Sequence, residues 1–196
     1  MSPRAAHRIT LEEGHRWLRV ADAAWDDPLD PTYADTAGGR WNAPGDGPTL
    51  YLNADVATAR AQIARMLEGT AIDPEDLSDD APYLLVTATL PSRQRVADAT
   101  TDTGLVALGL PRTYPRRVRS GRVPWRDCRR AARAVRAEGL RGVLARSAAL
   151  EGGRELAWFP ARGAQASAVG EPLPFAAWRH ETLDPVESAP RPRSRS

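Results

Sequence analysis

The stretch Gly38-Gly39-Arg40-Trp41-Asn42-Ala43-Pro44-Gly45, followed closely by Thr49-Leu50-Tyr51-Leu52, has the composition of a ligand-binding loop that leads into a short apolar strand. Glycine lets a backbone approach a ligand closely, and arginine binds phosphate through a planar fork of donors. Tyr51 offers a ring for stacking and a hydroxyl for hydrogen bonding. The pattern predicts a cradle for a phosphate-bearing ligand.

The bulk composition is that of an ordinary globular protein. The 196 residues suit one domain, and 42% of them are hydrophobic and 27% charged. A single cysteine, Cys128, excludes an internal disulfide. The first residues lack an apolar stretch of signal-peptide length, and no run approaches membrane-spanning length. We therefore expect a cytoplasmic protein without a membrane segment.

Positive charge is concentrated in one block. From Arg116 to Arg146 there are eleven arginines, against Asp127 and Glu138 as the only acidic residues. Such a block is typical of a surface for a charged partner, which would be nucleic acid, a phosphorylated ligand or an acidic protein. A solvated helix face explains the same pattern, so both interpretations stand at this point.

The order of elements predicts an α+β fold, with mixed β-sheets flanked by helices. Asp55 is a good N-cap for a helix that runs to about Leu67, and a second helix is expected over 126–138. Residues 10–13 have capping-box spacing for a short helical turn, and 26–39 are predicted to be a loop. Strands are predicted over 16–21, 49–53, 83–90, 142–146 and 155–159.

The predicted domain organisation is simple. One domain is expected over residues 1–186, with no internal repeat. The last ten residues, 187–196, are rich in arginine, proline and serine and are predicted to be a disordered tail.

Several motifs in order resemble the RES-domain family, whose members are toxins of RES–Xre toxin–antitoxin pairs. The resemblance covers roughly residues 16–159, most of the chain. It is carried by Trp17-Leu18-Arg19-Val20, Gly39-Arg40-Trp41-Asn42, Leu50-Tyr51-Leu52, Thr58-Ala59, and the segment from Gly139 through Ser147 to Phe159.

The resemblance implies a fold similar to ADP-ribosyltransferases and an activity on NAD as substrate, without a metal. Members of the family break the nicotinamide–ribose bond and pass the ADP-ribosyl group to phosphate, water or a protein. By this resemblance Arg19 and Arg40 would hold the phosphates, Tyr51 would line the nicotinamide-ribose pocket, and Ser147 would add a polar contact. An Xre-type antitoxin would be the partner, and a homodimer within a larger complex is expected.

One position departs from the family pattern. The catalytic glutamate of the family falls on Gln62, which can hydrogen-bond a ribose hydroxyl but carries no charge and cannot act as a base. Two explanations remain open: the protein is catalytically weakened or inactive, or another acid replaces the glutamate. Glu155 and Glu151, near Ser147, are the candidates for such a replacement.

Other functions compete with NAD cleavage. The chain could bind NAD or an antitoxin without turnover, or it could bind nucleic acid through the Arg116–Arg146 block. The three histidines are scattered and lack metal-ligand spacing. Cys128 lies among arginines without a nearby histidine and is interpreted as a structural thiol.

Overall fold

The computed structural model describes residues 5–116 and 121–180. They form one large mixed sheet with helices packed mainly on one face. The predicted tail at 187–196 and the end of the expected domain lie outside the described residues. The α+β fold class predicted from the sequence is confirmed.

The strands occur in an order that mixes early and late parts of the chain. The hydrogen-bonded path is β1-β5-β6-β7-β3-β2-β4-β8, and β9 also pairs with β4. The β5–β6 pair is parallel, whereas the other pairs are antiparallel. The strands are β1 (Arg8–Thr10), β2 (Arg16–Asp22), β3 (Leu50–Asn53), β4 (Tyr83–Thr89), β5 (Arg95–Ala99), β6 (Gly142–Arg146), β7 (Arg154–Trp158), β8 (Ser167–Ala168) and β9 (Leu173–Pro174).

The helices are short, apart from two. They are α1 (Thr32–Ala37), α2 (Val56–Leu67), α3 (Asp102–Ala107), α4 (Trp125–Ala137) and α5 (Phe175–Trp178), with a 3-10 turn at Pro74–Asp76. Asp55 caps α2 as predicted, because its Oδ1 accepts a hydrogen bond from the backbone N–H of Thr58 at 2.7 Å. The two principal helices and the central strands predicted from the sequence are confirmed within a residue or two.

Two local predictions are wrong. The expected helical turn at 10–13 begins instead as the end of β1, where Ile9 pairs with Val96 of β5, because a strand partner distant in sequence outcompetes the local cap. The expected loop over 26–39 contains α1. Asp30 accepts a hydrogen bond from the backbone N–H of Thr32 at 2.8 Å, and this bond favours a helical turn at the start of α1. The composition of the segment, rich in Pro, Asp and Gly, indicated only a loop.

The sheet separates two cores. On one face α4 and α3 pack over β5, β6 and β7, while α2 packs over β2 and β3. On the other face an apolar cluster is formed by strand residues and by segments that precede α1, including Leu11, Trp17, Leu29, Leu52 and Leu156. In the strand order, β7 and β3 lie between β6, which α4 covers, and β2, which α2 covers. Polar side chains of β3 and β7 on that face therefore lie between the two helices.

Candidate functional site

The segment from Gly38 to Thr49 is fastened to β3 through Tyr51. The Tyr51 hydroxyl accepts the backbone N–H of Trp41 at 2.8 Å and donates to Asn42 Oδ1 at 2.7 Å. A Cβ at Gly39 would lie 2.7 Å from Cζ of the Tyr51 ring, so only glycine permits this approach. Burial raises the pKa of Tyr51 well above its usual value, and the phenol stays protonated.

Arg40 occupies the centre of this loop with unused donor capacity. Its Nη1 is buried and has no hydrogen-bond partner among residues 5–116 and 121–180. The guanidinium faces three groups, the Cys128 thiol of α4, the Tyr51 phenol and the carboxylate of Glu155, and lowers the pKa of each. No ion pair forms between Arg40 and Glu155 in the part of the chain that the structure describes, so the two opposite charges lie near each other without direct contact.

Glu155 is the acidic group of this cluster. It lies on β7 directly opposite Asn53 of β3, and paired residues of an antiparallel ladder share one face of the sheet. Burial raises its pKa to about 7, although Arg40, the indole of Trp41 and the backbone N–H of Ala148 act in the opposite direction. The carboxylate therefore titrates near neutral pH.

Gln62 reaches the same cluster through Asn53. The Asn53 amide donates to Gln62 Oε1 at 2.7 Å. Thr58 lies one helical turn before Gln62 on α2, and its buried Oγ1 has no partner within the described residues. Asn53 thus has Gln62 as its hydrogen-bond partner and Glu155 as its neighbour across the ladder.

Ser147 shapes the loop between β6 and β7. Its Oγ accepts the backbone N–H groups of Ala149 and Leu150 at 3.1 and 3.3 Å. Gly153 closes the loop, and a Cβ there would lie 2.5 Å from Thr58 Oγ1 and 3.2 Å from the Ser147 Cβ. Beside this loop is a cavity of about 550 Å³, and Ser147 and Tyr114 are among the residues that line it.

Arg19 approaches from the other face of the sheet. Alternation along β2 places it with Trp17 and Ala21, opposite to Leu18, which pairs with Asn53. β2 and β3 pair only at that position, and Arg19 Nη1 donates to the Tyr51 carbonyl at 3.2 Å where the strands separate.

The surroundings of Arg19 hold it rigidly. Its guanidinium lies 5.3 Å from the centre of the Trp25 ring, an ordinary cation–π distance. Burial lowers its pKa to about 10, against the attraction of Asp27 and Asp30, and the group stays charged at neutral pH. Its Nε is buried without a partner among the described residues.

The five residues selected from the sequence are thus not equivalent in position. Arg40 and Tyr51 are directly adjacent, Gln62 joins through Asn53, and Ser147 joins through the β6–β7 loop. Arg19 contacts the cluster only through the Tyr51 backbone. Sequence reasoning overlooked Asn53 and the orphaned buried donors, and it gave Glu155 no geometric support. The register of β3 against β7, had it been assumed, would have placed Glu155 beside Asn53.

The basic block has a structural role that its composition did not reveal. Arg129, Arg133 and Arg136 are spaced along one face of α4 and fasten the 38–49 segment to it. Arg129 Nε donates to the Gly39 carbonyl at 2.9 Å, and Arg133 Nε donates to Asp46 Oδ1 at 2.9 Å. Residues 117–120 of the block lie outside the described residues.

Arg136 makes the most extensive of these contacts. Its Nη2 donates to the Pro48 carbonyl at 3.0 Å and to Thr49 Oγ1 at 2.7 Å, and its guanidinium lies 3.8 Å from the centre of the Phe159 ring. Burial lowers its pKa from the usual arginine value, which the nearby Asp46 carboxylate partly offsets.

Replacing Arg136 by alanine is expected to lower the free energy of unfolding by about 2–3 kcal/mol, since hydrogen bonds and a cation–π contact are lost together. Arg130→Ala is the matched control on the same helix. Arg130 is exposed and pairs with Asp127 at 3.4 Å, so a change within about 0.5 kcal/mol is expected. Urea denaturation of the wild-type protein and the two variants measures both changes. Equal midpoints for the two variants would show that the Arg136 contacts with the 38–49 segment do not stabilise the fold.

Two absences within the described ranges bear on function. No helix there is long and apolar enough to cross a membrane. The same residues contain no group of three or more His, Cys, Asp or Glu side chains arranged to hold a metal ion.

Comparison with known proteins gives a family and a fold. A family model described as RES domain matches residues 5–182. A chain in the crystal structure of the M. tuberculosis MbcT–MbcA toxin–antitoxin complex is similar in fold, with a TM-score of 0.68 and 24% sequence identity. The similarity covers 87% of this chain and 90% of that chain. No curated protein matched. The α+β fold expected from the sequence is thus shared with a chain of this complex.

Proposed function

This chain belongs to the RES-domain family, and on that premise we propose that it is the toxin of a toxin–antitoxin pair that cleaves the nicotinamide–ribose bond of NAD. The ADP-ribosyl group passes to phosphate, water or a protein. The toxin acts in the cytoplasm and is neutralised by an antitoxin of Xre type, and it forms a homodimer within a larger toxin–antitoxin complex.

The observation that carries this proposal is a set of buried donors without partners around Tyr51. Arg19 Nε and Arg40 Nη1 are both buried, and neither has a hydrogen-bond partner among the described residues. An unsatisfied buried donor costs about 1–3 kcal/mol, and more when it is charged. Such a cost is tolerated where a ligand supplies the missing acceptors, and the pyrophosphate of NAD has acceptors of that kind.

The reaction places clear demands on the remaining groups. Breaking the bond between ribose C1′ and the nicotinamide nitrogen develops positive charge on the ribose, as in glycoside hydrolysis. Arg40 fixes the pyrophosphate from the face that carries α2 and α4, and Arg19 reaches it from the gap where β2 and β3 separate. Tyr51 braces the pocket wall next to the leaving ring. Gln62 holds a ribose hydroxyl through the amide that Asn53 orients.

The proposal of an antitoxin partner is supported by the similarity to known proteins. The structural neighbour was solved as a toxin–antitoxin complex, and the family model covers most of this chain. The α4 arginines are a weaker basis for nucleic-acid binding, because Arg129, Arg133 and Arg136 are already engaged with the 38–49 segment.

The experiment that tests the proposal is incubation of the purified protein with NAD, with and without inorganic phosphate, while nicotinamide release is followed by chromatography. We expect release, and a phosphate-dependent product if phosphate is the acceptor. Gln62→Glu is assayed in parallel because it restores the carboxylate of the family. If neither protein releases nicotinamide, the enzymatic proposal is wrong.

A second candidate is favoured by Gln62 itself. Without the family's carboxylate at that position, the protein could bind NAD or an antitoxin without turnover. Calorimetry that detects NAD binding, together with zero nicotinamide release by the wild-type protein, would select this function.

A further inference from the structure

We propose that Glu155 supplies the negative charge that Gln62 lacks, and that it is the catalytic carboxylate for NAD cleavage in this protein. The inference rests on the proposed function and concerns the same site. It decides between the two explanations that the sequence left open for Gln62.

The position of Glu155 is the first argument. It shares a ladder position with Asn53, and Asn53 holds Gln62 Oε1 at 2.7 Å. Because antiparallel partners have Cβ atoms about 4.5–5.5 Å apart, the Glu155 carboxylate belongs to the same small region as the Gln62 amide. A carboxylate at Glu155 on β7, instead of at position 62 on α2, therefore lies on the same face of the sheet as Gln62.

The groups around Glu155 are the second argument. Arg40 Nη1 is a buried donor without a partner among the described residues. The Arg40 charge and the Trp41 indole both lower the pKa of this carboxylate against the larger effect of burial. The backbone N–H of Ala148, in the loop shaped by Ser147, acts on it as well. Among the described residues no ion pair forms between Arg40 and Glu155, so the Arg40 charge offsets the Glu155 charge only in part.

The accessibility of Glu155 is the third argument. The residues that follow it on β7, Leu156 to Trp158, are fully buried. Glu155 as a whole residue is half-buried, although its carboxylate is the buried part of the side chain. Glu151, the other acidic residue near Ser147, is exposed and makes no described contact with Arg40 or Asn53. The position fits a carboxylate that meets a bound ligand rather than one that only fills the core.

The step that Glu155 serves balances without a further reagent. The bond from ribose C1′ to the nicotinamide nitrogen breaks, and its electron pair leaves with neutral nicotinamide. The Glu155 carboxylate stabilises the positive charge that develops on the ribose ring. Water or phosphate then forms the new C1′–O bond, and water gives up a proton to solvent. NAD and water thus yield nicotinamide, ADP-ribose and one proton.

The test compares the wild-type protein with Glu155→Gln, and with Glu151→Gln as the matched control, by nicotinamide release and by calorimetric binding of NAD. Glu155→Gln keeps the size and hydrogen-bonding capacity of the side chain but removes its charge. We expect kcat to fall on the order of a hundredfold to a thousandfold, with the Kd for NAD changed less than threefold. Glu151→Gln is expected to keep the wild-type rate, and Glu155→Gln combined with Gln62→Glu is expected to recover activity.

A pH profile provides a readout that a structural role would not move. The groups facing Glu155 are Arg40 from the 38–49 loop, Tyr51 of β3, Tyr114, and Cys128 of α4. Burial raises the pKa of both tyrosines and of Cys128, so these stay protonated throughout pH 5–8. The wild-type kcat should therefore rise as the Glu155 carboxylate ionises near pH 7. This limb should be absent in the double variant if the carboxylate introduced by Gln62→Glu ionises at the usual, lower pKa of a glutamate.

The outcomes separate this inference from the proposed function. Wild-type activity that survives Glu155→Gln, or a wild-type kcat independent of pH from 5 to 8, overturns the role of Glu155 while NAD cleavage stands. Activity of Gln62→Glu alone, with an inactive wild-type protein, does the same. If neither protein releases nicotinamide, the proposed function itself fails.

Discussion

Arg40→Ala is expected to weaken NAD binding by about thirtyfold or more and to lower the free energy of unfolding by about 1–3 kcal/mol. Two losses combine in this variant. The pyrophosphate loses a charged donor with fork geometry, and truncation of one partner of a buried charge pair costs at least 2–5 kcal/mol. In the unliganded protein Glu155 loses a positive charge that lowers its pKa against the effect of burial, so its carboxylate becomes harder to ionise in the folded state.

Isothermal calorimetry measures the binding loss, and urea denaturation measures the change in stability. Arg40→Lys keeps the charge without the planar fork, so stability should recover more than NAD affinity. Arg162→Ala removes an exposed arginine in another loop and should match the wild-type protein in both measurements. NAD affinity of Arg40→Ala within threefold of wild type would contradict the assignment of Arg40 to the phosphates.

Glu155→Gln is expected to stabilise the protein at and above neutral pH while it removes activity. The folded protein holds the Glu155 proton up to a pKa of about 7, whereas the unfolded chain releases it near 4.5. Between these values the folded state binds more protons, so the free energy of unfolding falls as pH rises. The full difference is on the order of 3 kcal/mol, since one pKa unit corresponds to about 1.4 kcal/mol.

Thermal and urea unfolding of both proteins at pH 4.5, 6 and 8 measures this difference. The two should have similar stability at pH 4.5, and the variant should gain progressively to pH 8. Comparison with the variant cancels other titrating groups, such as His15, whose pKa is lowered mainly by burial. Parallel stability curves for the two proteins would show that the Glu155 carboxylate is not penalised in the fold. A gain in stability with a loss of activity is the usual mark of a strained active site.

The local code in the sequence explains why parts of the fold were predictable. Asp55 and the apolar spacing of α2 act within a few residues, and the alternation in β4 needs no distant partner. The helix α1 was missed because its six residues bury no side chain and leave no periodic signal. β1 was missed because its pairing with β5, almost ninety positions along the chain, is what makes three residues a strand.

The site shows the same division between local and distant information. Arg40 and Tyr51 could be selected because glycines, arginine and tyrosine occur together in one short stretch. Glu155 could not be given a geometry, because its nearness to Asn53 depends on the register of two strands a hundred residues apart. The roles of the α4 arginines were hidden for the same reason, since their acceptors lie about ninety positions earlier in the chain. Those of Arg129 and Arg136 include backbone carbonyl groups, which no residue name reveals.

Tyr51 couples Arg19 and Arg40 energetically. Its carbonyl binds Arg19 from one side of the sheet, while its hydroxyl secures Trp41 and Asn42, next to Arg40, on the other. A displacement of either guanidinium is therefore transmitted through one rigid residue, and the free-energy costs of removing Arg19 and Arg40 should not add. Groups with a shared partner show interaction energies of about 0.5–3 kcal/mol, and Tyr51 is the shared partner of the two phosphate-binding positions.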